Sequence, residues 1–410
     1  MRDQEELIVG LDIGTTKICA VVGEVTTEGI HIIGTGTHPS VGLRKGVIVN
    51  IESTVDSIKK AVEDAEIMAG CEISNVYAGI AGAHMQGFNS HGIIAVKGSE
   101  ITQSDVQRVI EAARAVAIPM DREVIHVLPQ EFIVDDQPGI QNPVGMAGVR
   151  LEVKIHIVTG AVTAVQNIVR CANRANLEIN DIVLESLASG ESVLLPEEKE
   201  LGVALVDIGG GTTDIAIFAG KNIKHTSVIP LGGTNLTNDL AYGLRTSLTD
   251  AESIKTRHGS CLRNKISPDD MVEISGVGGG NRSRQVPRAV LCEIIEPRME
   301  ELFALVNREV YRAGMERLIV SGFVLTGGAS LLHGVETLGE MVLDQPIRIG
   351  KPKGIKGLTD VVNNPMYATG VGLILHGASK HRKTRKFRIK DKNVFSRILQ
   401  RMKGWFKEVI

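Results

Sequence analysis

A stretch of twenty residues from Leu201 to Gly220 constrains the fold of this chain more than any other. It reads LGVALVDIGGGTTDIAIFAG, so that an apolar strand ends near Asp207 and a glycine-threonine turn leads into a second apolar strand. Glycines let a turn bring backbone N–H groups close to an anion, because no Cβ stands in the way. A carboxylate at the strand end suits Mg²⁺ held through waters, since that ion keeps part of its hydration shell. The stretch therefore predicts a phosphate-binding β-hairpin, although one DxGGGT motif alone fits an ordinary hairpin about equally well.

The same pattern occurs a second time near the N-terminus. Residues Ile8 to Gly23 read IVGLDIGTTKICAVVG, and Asp12 precedes Asp207 by 195 residues. A repeat with the period of a whole domain indicates an internal duplication. We therefore expect two related lobes that hold one polyphosphate between them, with Asp12 and Asp207 near the metal. The remaining candidate phosphate contacts in the two turns are Gly14, Thr15, Thr16, Lys17, Gly209, Gly210, Gly211, Thr212 and Thr213.

These paired hairpins resemble those of the actin-like ATPase superfamily, which implies ATP and Mg²⁺ as ligands. Residues 322–335, GFVLTGGASLLHGV, are similar to the superfamily's adenosine motif. This resemblance implies that Gly327, Gly328 and Ala329 contact the nucleoside. Residues 229–235 are similar to the superfamily's turn that approaches the phosphates, which implies that Gly232 and Gly233 lie near them.

Two further stretches are similar to the superfamily's connecting helices. They are DIVLESLASG at 181–190 and PMYATGVGLIL at 365–375, whose small residues allow close helix crossing. Glu185 lies where relatives often carry a water-activating carboxylate, so Glu185 and Asp207 are the catalytic candidates. This chain has Ser186 where many relatives have proline, which leaves the role of Glu185 open.

Glu252 and Lys255 have the spacing of neighbours on one helical face, in the stretch DAESIKTRHG at 250–259. A solvated ion pair is the ordinary interpretation of that spacing. In the superfamily a Glu and a Lys at this spacing contact the ribose, and the surrounding motifs favour that role here.

Composition and length predict a soluble, multidomain cytoplasmic protein. A chain of 410 residues is longer than one hydrophobic core usually accommodates, and 43% of its residues are hydrophobic. The five cysteines are scattered without CxxC spacing, so we expect reduced thiols. The polar N-terminus predicts no signal peptide, and no apolar run reaches the roughly 18 residues of a membrane span.

The predicted fold class is α/β, an actin-like (ribonuclease-H-like) two-lobe ATPase fold with a small α+β insert in the first lobe and a C-terminal amphipathic helix. Within the insert we expect strands at 92–96 and 151–158 and a helix at 104–117 that starts at Ser104-Asp105. In the first lobe, Ser53 is predicted to cap a helix that ends at Gly70. The predicted domains are the first lobe core at 1–83, 164–198 and 365–379, the insert at 84–163, the second lobe core at 199–228 and 305–364, its upper subdomain at 229–304, and the tail at 380–410.

The tail, residues 380–410, differs in charge from the rest of the chain. It holds 12 of the 45 Lys and Arg residues but 2 of the 48 Asp and Glu residues, a net charge of +10 against −13 elsewhere. The basic composition of residues 380–392 predicts a linker that does not pack against the rest of the chain. Apolar residues then recur at helical spacing among basic ones, as expected of a helix on an anionic membrane. The membrane-contacting candidates are Phe395, Ile398, Leu399, Met402, Trp405 and Phe406. A docking helix and a nucleic-acid arm are the alternatives, but no nucleic-acid-binding module accompanies the tail.

Taken together, the motifs, the insert and the basic tail resemble the FtsA family of bacterial cell-division proteins over essentially the whole chain. That resemblance implies a peripheral protein on the cytoplasmic face of the inner membrane at the septum, with at most slow ATPase activity. It implies self-assembly into filaments, contacts with later divisome proteins, and binding of the C-terminal tail of FtsZ. We expect that tail near Arg288, Arg298 and Asn307, although pairing of Arg298 with Glu301 or Glu293 within a helix explains the same residues.

Two other proteins of this fold remain as alternatives. A small-molecule kinase of the superfamily would share the N-terminal hairpin, but it gives no reason for a basic amphipathic tail. A PilM-like pilus assembly protein would share the insert and is expected to lack the membrane helix.

Overall fold

The computed structural model describes residues 6–276 and 283–386. Its chain begins with a three-stranded antiparallel meander, a short hairpin, a helix that covers one face of the sheet, and a strand parallel to the first. These elements are β1 Glu6–Ile13, β2 Lys17–Thr26, β3 Gly29–Pro39, β4 Leu43–Arg44, β5 Val47–Ile48, α1 Ile51–Ala69 and β6 Asn75–Ile80. The side chain of Asn50 caps α1, so the helix starts before the serine predicted to cap it, and it ends at Gly70 in the left-handed region.

The inserted α+β subdomain follows and has a core of its own. It consists of β7 Gln86–Ala95, α2 Gln103–Arg114, β8 Arg122–Val134, β9 Gln137–Ile140 and β10 Arg150–Ala161. The strands form one sheet in the order β7-β10-β8-β9. Helix α2 packs on this sheet at Gly92, where an added Cβ would lie 2.5 Å from the carbonyl oxygen of Val109. Thr102 and Asp105 cap α2 reciprocally, whereas the sequence placed its start at Ser104.

The chain then returns to the first lobe through α3 Val162–Arg174, β11 Glu178–Leu184 and α4 Glu185–Val193. Strand β11 pairs in parallel with β6. The first half of the predicted connecting helix is therefore strand, and the helix starts at Glu185 itself. This places the Glu185 carboxylate at the carboxyl end of the sheet, where ligands bind in such folds.

The second lobe repeats the arrangement of the first. Its elements are α5 Pro196–Leu201, β12 Val203–Ile208, β13 Thr213–Ala219, β14 Asn222–Ile229, α6 Gly233–Leu244, α7 Leu248–His258, β15 Met271–Ser275, β16 Ser283–Pro287, α8 Arg288–Arg312, β17 Phe323–Thr326, α9 Val335–Leu343 and β18 Ile347–Ile349. Strands β12, β13 and β14 form the meander and β17 runs parallel to β12, in the sheet order β14-β13-β12-β17-β18. The antiparallel pair β15 and β16 lies on either side of the predicted glycine-rich tip at 276–280, most of which falls outside the described residues.

The last described elements close the first lobe: β19 Ile355–Gly357, α10 Thr359–Val362 and α11 Ala368–Lys386. Strand β19 extends the first sheet, so that its order is β11-β6-β1-β2-β3-β19. Helix α11 crosses α4, and the two helices connect the lobes. The helix continues to Lys386, and the Lys380 ammonium pairs with Asp181, so the linker predicted from residue 380 begins as helix. None of the helices within the described residues is long and apolar enough to span a membrane.

Candidate functional site

The two predicted hairpin turns have the same backbone geometry. In the first turn the Gly14 amide donates to the carbonyl oxygen of Lys17 at 3.1 Å, and in the second the Gly209 amide donates to that of Thr212 at 3.0 Å. Each glycine follows its aspartate by two residues, and both aspartates are buried. The duplication read from the sequence therefore extends to individual hydrogen bonds.

The turns of the two lobes contact each other directly. A Cβ added to Gly210 would lie 2.4 Å from the side chain of Thr16, and one added to Gly211 would lie 2.5 Å from Thr15 Oγ1. The obstacles are short, branched side chains, so residues larger than glycine would push the lobes apart. Thr15 Oγ1 also accepts a hydrogen bond from the Gly46 amide at 2.9 Å, which ties the first turn to the β4–β5 hairpin.

A third turn joins the second hairpin where α6 begins. The amide of Gly233 donates to Gly209 at 2.9 Å, and that of Thr234 donates to Gly210 at 2.8 Å. A Cβ on Gly232 would lie 2.7 Å from the carbonyl oxygen of Gly209, so this approach also requires glycine. The predicted phosphate turn thus lies against the hairpin to which the sequence assigned it.

Four acidic side chains gather below the turns: Asp12, Glu185, Asp207 and Asp214. Burial raises the pKa of Asp207 to about 6 and that of Asp214 to about 7, because low polarity disfavours the charged form. Burial likewise raises the pKa of Asp12, and it raises that of the half-buried Glu185 well above the usual range, with the other three carboxylates adding to the effect. Burial and mutual repulsion therefore disfavour the fully ionised form of the cluster.

Hydrogen bonds from the connecting helices fix the Asp207 carboxylate. Oδ2 accepts from Ser189 of α4 at 2.5 Å and from Thr369 of α11 at 3.5 Å. Asp214 accepts from Thr212 through one oxygen, while its buried Oδ1 has no partner. The sequence analysis did not assign Asp214, Ser189 or Thr369, although all three are polar residues inside otherwise apolar motif stretches.

This donor set fits a hydrated divalent cation. Buried carboxylates with raised pKa values gain from a nearby cation, and the unpartnered Asp214 oxygen has an unused acceptor. Within the described residues no three acidic, His or Cys side chains lie close enough to ligate one metal ion directly. A magnesium ion here would therefore keep several waters, as Mg²⁺ does beside phosphates.

Lys17 is the cation nearest the first turn. Its ammonium donates to the carbonyl oxygen of Met366 at 2.5 Å and lies 4.8 Å from the centre of the Tyr367 ring. The short turn before α11 therefore holds the Lys17 side chain beside the first hairpin turn.

The predicted ribose pair is present on α7, but its two members differ in environment. Lys255 is buried, and its ammonium donates to Gly233, Thr237 and Glu252 at 3.1, 2.9 and 2.7 Å. An ammonium has three donors, so all of them are occupied. The Glu252 side chain is 48% exposed and is the member of the pair open to a ligand.

The predicted adenosine motif lies beside Asp207. A Cβ on Gly327 would lie 2.4 Å from Asp207 Oδ1, and the positive φ of 82° at Gly327 also favours glycine. Gly328 has open space around its Cα, and Ala329 lies next to Gly233. Thr213 is buried and donates to the carbonyl oxygen of Leu231. The second hairpin, the turn that precedes α6, Lys255 and the predicted adenosine motif are therefore linked through contacts of Asp207, Gly209 and Gly233.

Both arginines of the predicted partner surface on α8 are already paired within the chain. Arg298 donates to Asp239 at 2.6 Å and also pairs with Glu301, the helical neighbour proposed as the alternative. Arg288 pairs with Asp270 at 3.0 Å. Asn307 is half-buried on the same helix. The six predicted membrane-contacting residues, Phe395 to Phe406, lie outside the described residues.

The insert contacts the second lobe through polar groups that the sequence analysis missed. The amide of Gln130 donates to the carbonyl oxygens of Ile223 and Lys224 in β14, at 3.0 and 3.1 Å. His156 is fully buried, with Nε2 2.8 Å from Thr226 Oγ1. Because β14 follows directly from the second hairpin, the insert is connected to that hairpin through the pairing of β13 with β14.

Two family descriptions match the chain. Residues 204–372 match "Cell division protein FtsA", and residues 82–159 match "SHS2 domain inserted in FTSA". The cell division protein FtsA of Pseudomonas aeruginosa is 50% identical over 98% of this chain and 97% of its own length. That of Escherichia coli K12 is 42% identical over 92% of this chain and 91% of its own length.

Solved structures with the same fold share little sequence with the chain. The PilM-PilN type IV pilus biogenesis complex matches with a TM-score of 0.66 at 17% identity, over 90% of this chain and 98% of that one. MreB5 of Spiroplasma citri bound to ADP matches with a TM-score of 0.58 at 13% identity, over 93% and 98%. These likenesses confirm the actin-like fold, and with the near-full-length relatives they establish that the chain belongs to the FtsA family of cell-division proteins.

Proposed function

We propose that the chain binds Mg-ATP between its lobes, assembles with copies of itself, and tethers FtsZ to the cytoplasmic face of the inner membrane at the septum. The observation that carries the nucleotide part is the pair of matching turns that meet beside a cluster of four carboxylates, three of them buried. Actin-like structures solved with ADP and AMPPNP support it.

The residues divide into groups by role. The two turns would hold phosphates through backbone amides and the Thr15 and Thr16 hydroxyls, while Asp12 and Asp207 orient waters of a magnesium ion, which neutralises phosphate charge when bound. Glu252 would face the ribose, positioned by Lys255. Because Thr16 touches Gly210, phosphates enter only if the lobes part, which couples nucleotide occupancy to the angle between the lobes.

Turnover is expected to be slow, because an assembling protein uses nucleotide state as a switch. Glu185 is the group placed to accept a proton from a water, and Asp207 is the carboxylate placed to orient it. Their raised pKa values make each carboxylate, when ionised, a stronger proton acceptor than an ordinary Asp or Glu side chain.

Calorimetric titration with Mg-ATP tests the nucleotide site. Asp207→Ala removes a metal-orienting carboxylate, and we expect affinity to fall by roughly tenfold or more, about 1.4 kcal/mol. Glu316→Ala removes an exposed acid elsewhere on the second lobe and serves as the control. If Asp207→Ala binds Mg-ATP as tightly as the control variant, this hairpin is not part of the site.

The FtsZ contact is proposed at Arg288, Arg298 and Asn307, where an acidic peptide would exchange with the Asp239 carboxylate for the Arg298 guanidinium. Arg298→Glu should weaken binding of an FtsZ C-terminal peptide and reduce its salt dependence. Asp239→Asn is the matched control, because it breaks the same ion pair and leaves the arginine free. Equal loss of affinity in both variants would show that Arg298 acts only by holding the fold.

Membrane attachment is proposed for the C-terminal segment, on its sequence. Each basic residue near an anionic surface contributes about 1 kcal/mol, and filaments that display many such segments gain avidity. Trp405→Glu places a charge on the apolar face and should release the protein from anionic liposomes in co-sedimentation. Equal sedimentation of the wild type and this variant would exclude the segment as the anchor.

Later divisome proteins are proposed to bind the insert.

A further inference from the structure

An open groove of about 620 Å³ lies at the edge of the first lobe, away from the nucleotide site. One wall is the turn between β2 and β3, with Thr27 and Glu28 at the rim. The other wall is α11, which contributes Leu375, Ala378 and Ser379, and Ile30 also lines the groove. The volume is within the range of pockets that bind ligands, about 300–1,000 Å³.

The groove lies where the chain leaves the described structure. Seven residues of α11 follow Ser379 before the helix reaches Lys386, and 24 more residues complete the chain. Those seven residues rise about 10 Å along the helix, and residues 387–393 span up to about 24 Å when extended. The segment 394–410 can therefore return to the groove.

Charge also favours such a return. The tail carries a net charge of +10 and the rest of the chain −13. Glu28 at the rim is exposed and pairs with Lys356 at 3.0 Å. An exposed ion pair of this kind contributes little, so a basic segment can replace Lys356 at the Glu28 carboxylate at small cost.

Leu375 is the half-buried apolar side chain at the groove and suits the apolar residues of the segment, whereas Ile30 and Ala378 are buried in the lobe. We propose that, away from a membrane, this groove binds the chain's own residues 394–410. It then covers the aromatic side chains that would otherwise insert into anionic lipid. Docking in the groove and insertion in lipid then exclude each other. The inference rests on the proposed membrane function and adds a competing site within the same chain.

Trp405 reports on this directly, because it is the single tryptophan of the chain. We would measure acrylamide quenching of its fluorescence in the full-length protein without lipid or nucleotide, over a series of protein concentrations. If residues 394–410 are docked in most molecules, acrylamide should quench Trp405 roughly five-fold less than it does in the same protein in urea.

Glu28→Arg is the test variant, because it adds positive charge at the exposed rim without entering the core. It should raise the quenching of Trp405 towards the urea value and strengthen binding to anionic liposomes at low lipid. The control is Glu316→Arg, the same charge change on the second lobe, which should behave as wild type.

Three results would overturn the inference. Trp405 could be as accessible in wild type as in urea, its shielding could be equal in wild type and Glu28→Arg, or its shielding could grow with protein concentration, which identifies a second copy as the cover. If Trp405 is accessible while wild type still sediments with anionic liposomes, the groove is excluded and the membrane function stands.

Discussion

Replacing Gly372 by alanine should separate the two helices that connect the lobes. A Cβ at this position of α11 would lie 1.8 Å from the carbonyl oxygen of Ala188 in α4 and 2.3 Å from its carbonyl carbon. The obstacle is backbone, so the helices must part by more than about 1 Å to restore van der Waals contact. Overpacking of this kind costs about 3 kcal/mol, and the better helix propensity of alanine returns about 1 kcal/mol. The expected net loss is about 2 kcal/mol.

Thermal unfolding followed by circular dichroism measures this loss. At about 2–4 °C per kcal/mol, the apparent Tm should fall by roughly 4–8 °C. Gly243→Ala is the matched control, since that glycine is also helical, and its added Cβ would meet only the flexible end of Ile294 at 2.8 Å. The control should keep or slightly raise the Tm. An unchanged Tm in Gly372→Ala would refute the close crossing of α4 and α11.

Two further variants test electrostatics and the insert. Burial lowers the pKa of His376, but its hydrogen bonds to Asp181 and Glu191 outweigh this and raise the pKa. The contribution of the paired His376 to the free energy of unfolding is therefore fully present below about pH 6.5 and is lost as the pH rises through its folded-state pKa. His376→Gln should reduce the pH dependence of the free energy of unfolding, measured with urea, across that window. An unchanged pH dependence in the variant would contradict the pairing. His156→Ala leaves Thr226 and Asn89 without their buried partner and should cost about 3 kcal/mol, with faster amide hydrogen exchange in β14, whereas unchanged exchange there would mean that the insert is held by other contacts.

The sequence predicted the two hairpin turns because motif residues specify local backbone geometry. Asp12 and Asp207 with their following glycines require the same turn, and the structure has the same hydrogen bond in both. The helix starts predicted at Ser53 and Ser104 lie three and two residues after the observed caps Asn50 and Thr102, because Ser, Thr, Asn and Asp all cap helices well.

Contacts between distant segments were not predictable in this way. Arg298 has Glu301 within one helical turn, but its other partner, Asp239, lies 59 residues away on α6. Gln130 and His156 have no sequence pattern that distinguishes an interface residue from a surface one. The packing of the insert against β14, which buries them, arises only from the assembled fold.

The most direct test of the account is a structure of the full chain with Mg²⁺ and a non-hydrolysable ATP analogue. The account predicts phosphates between Thr15 and Thr16 of one turn and Gly210 and Gly211 of the other, with the turns farther apart than they are here and the ribose next to Glu252. Nucleotide bound elsewhere, or turns that remain in contact while nucleotide occupies the protein, would contradict it.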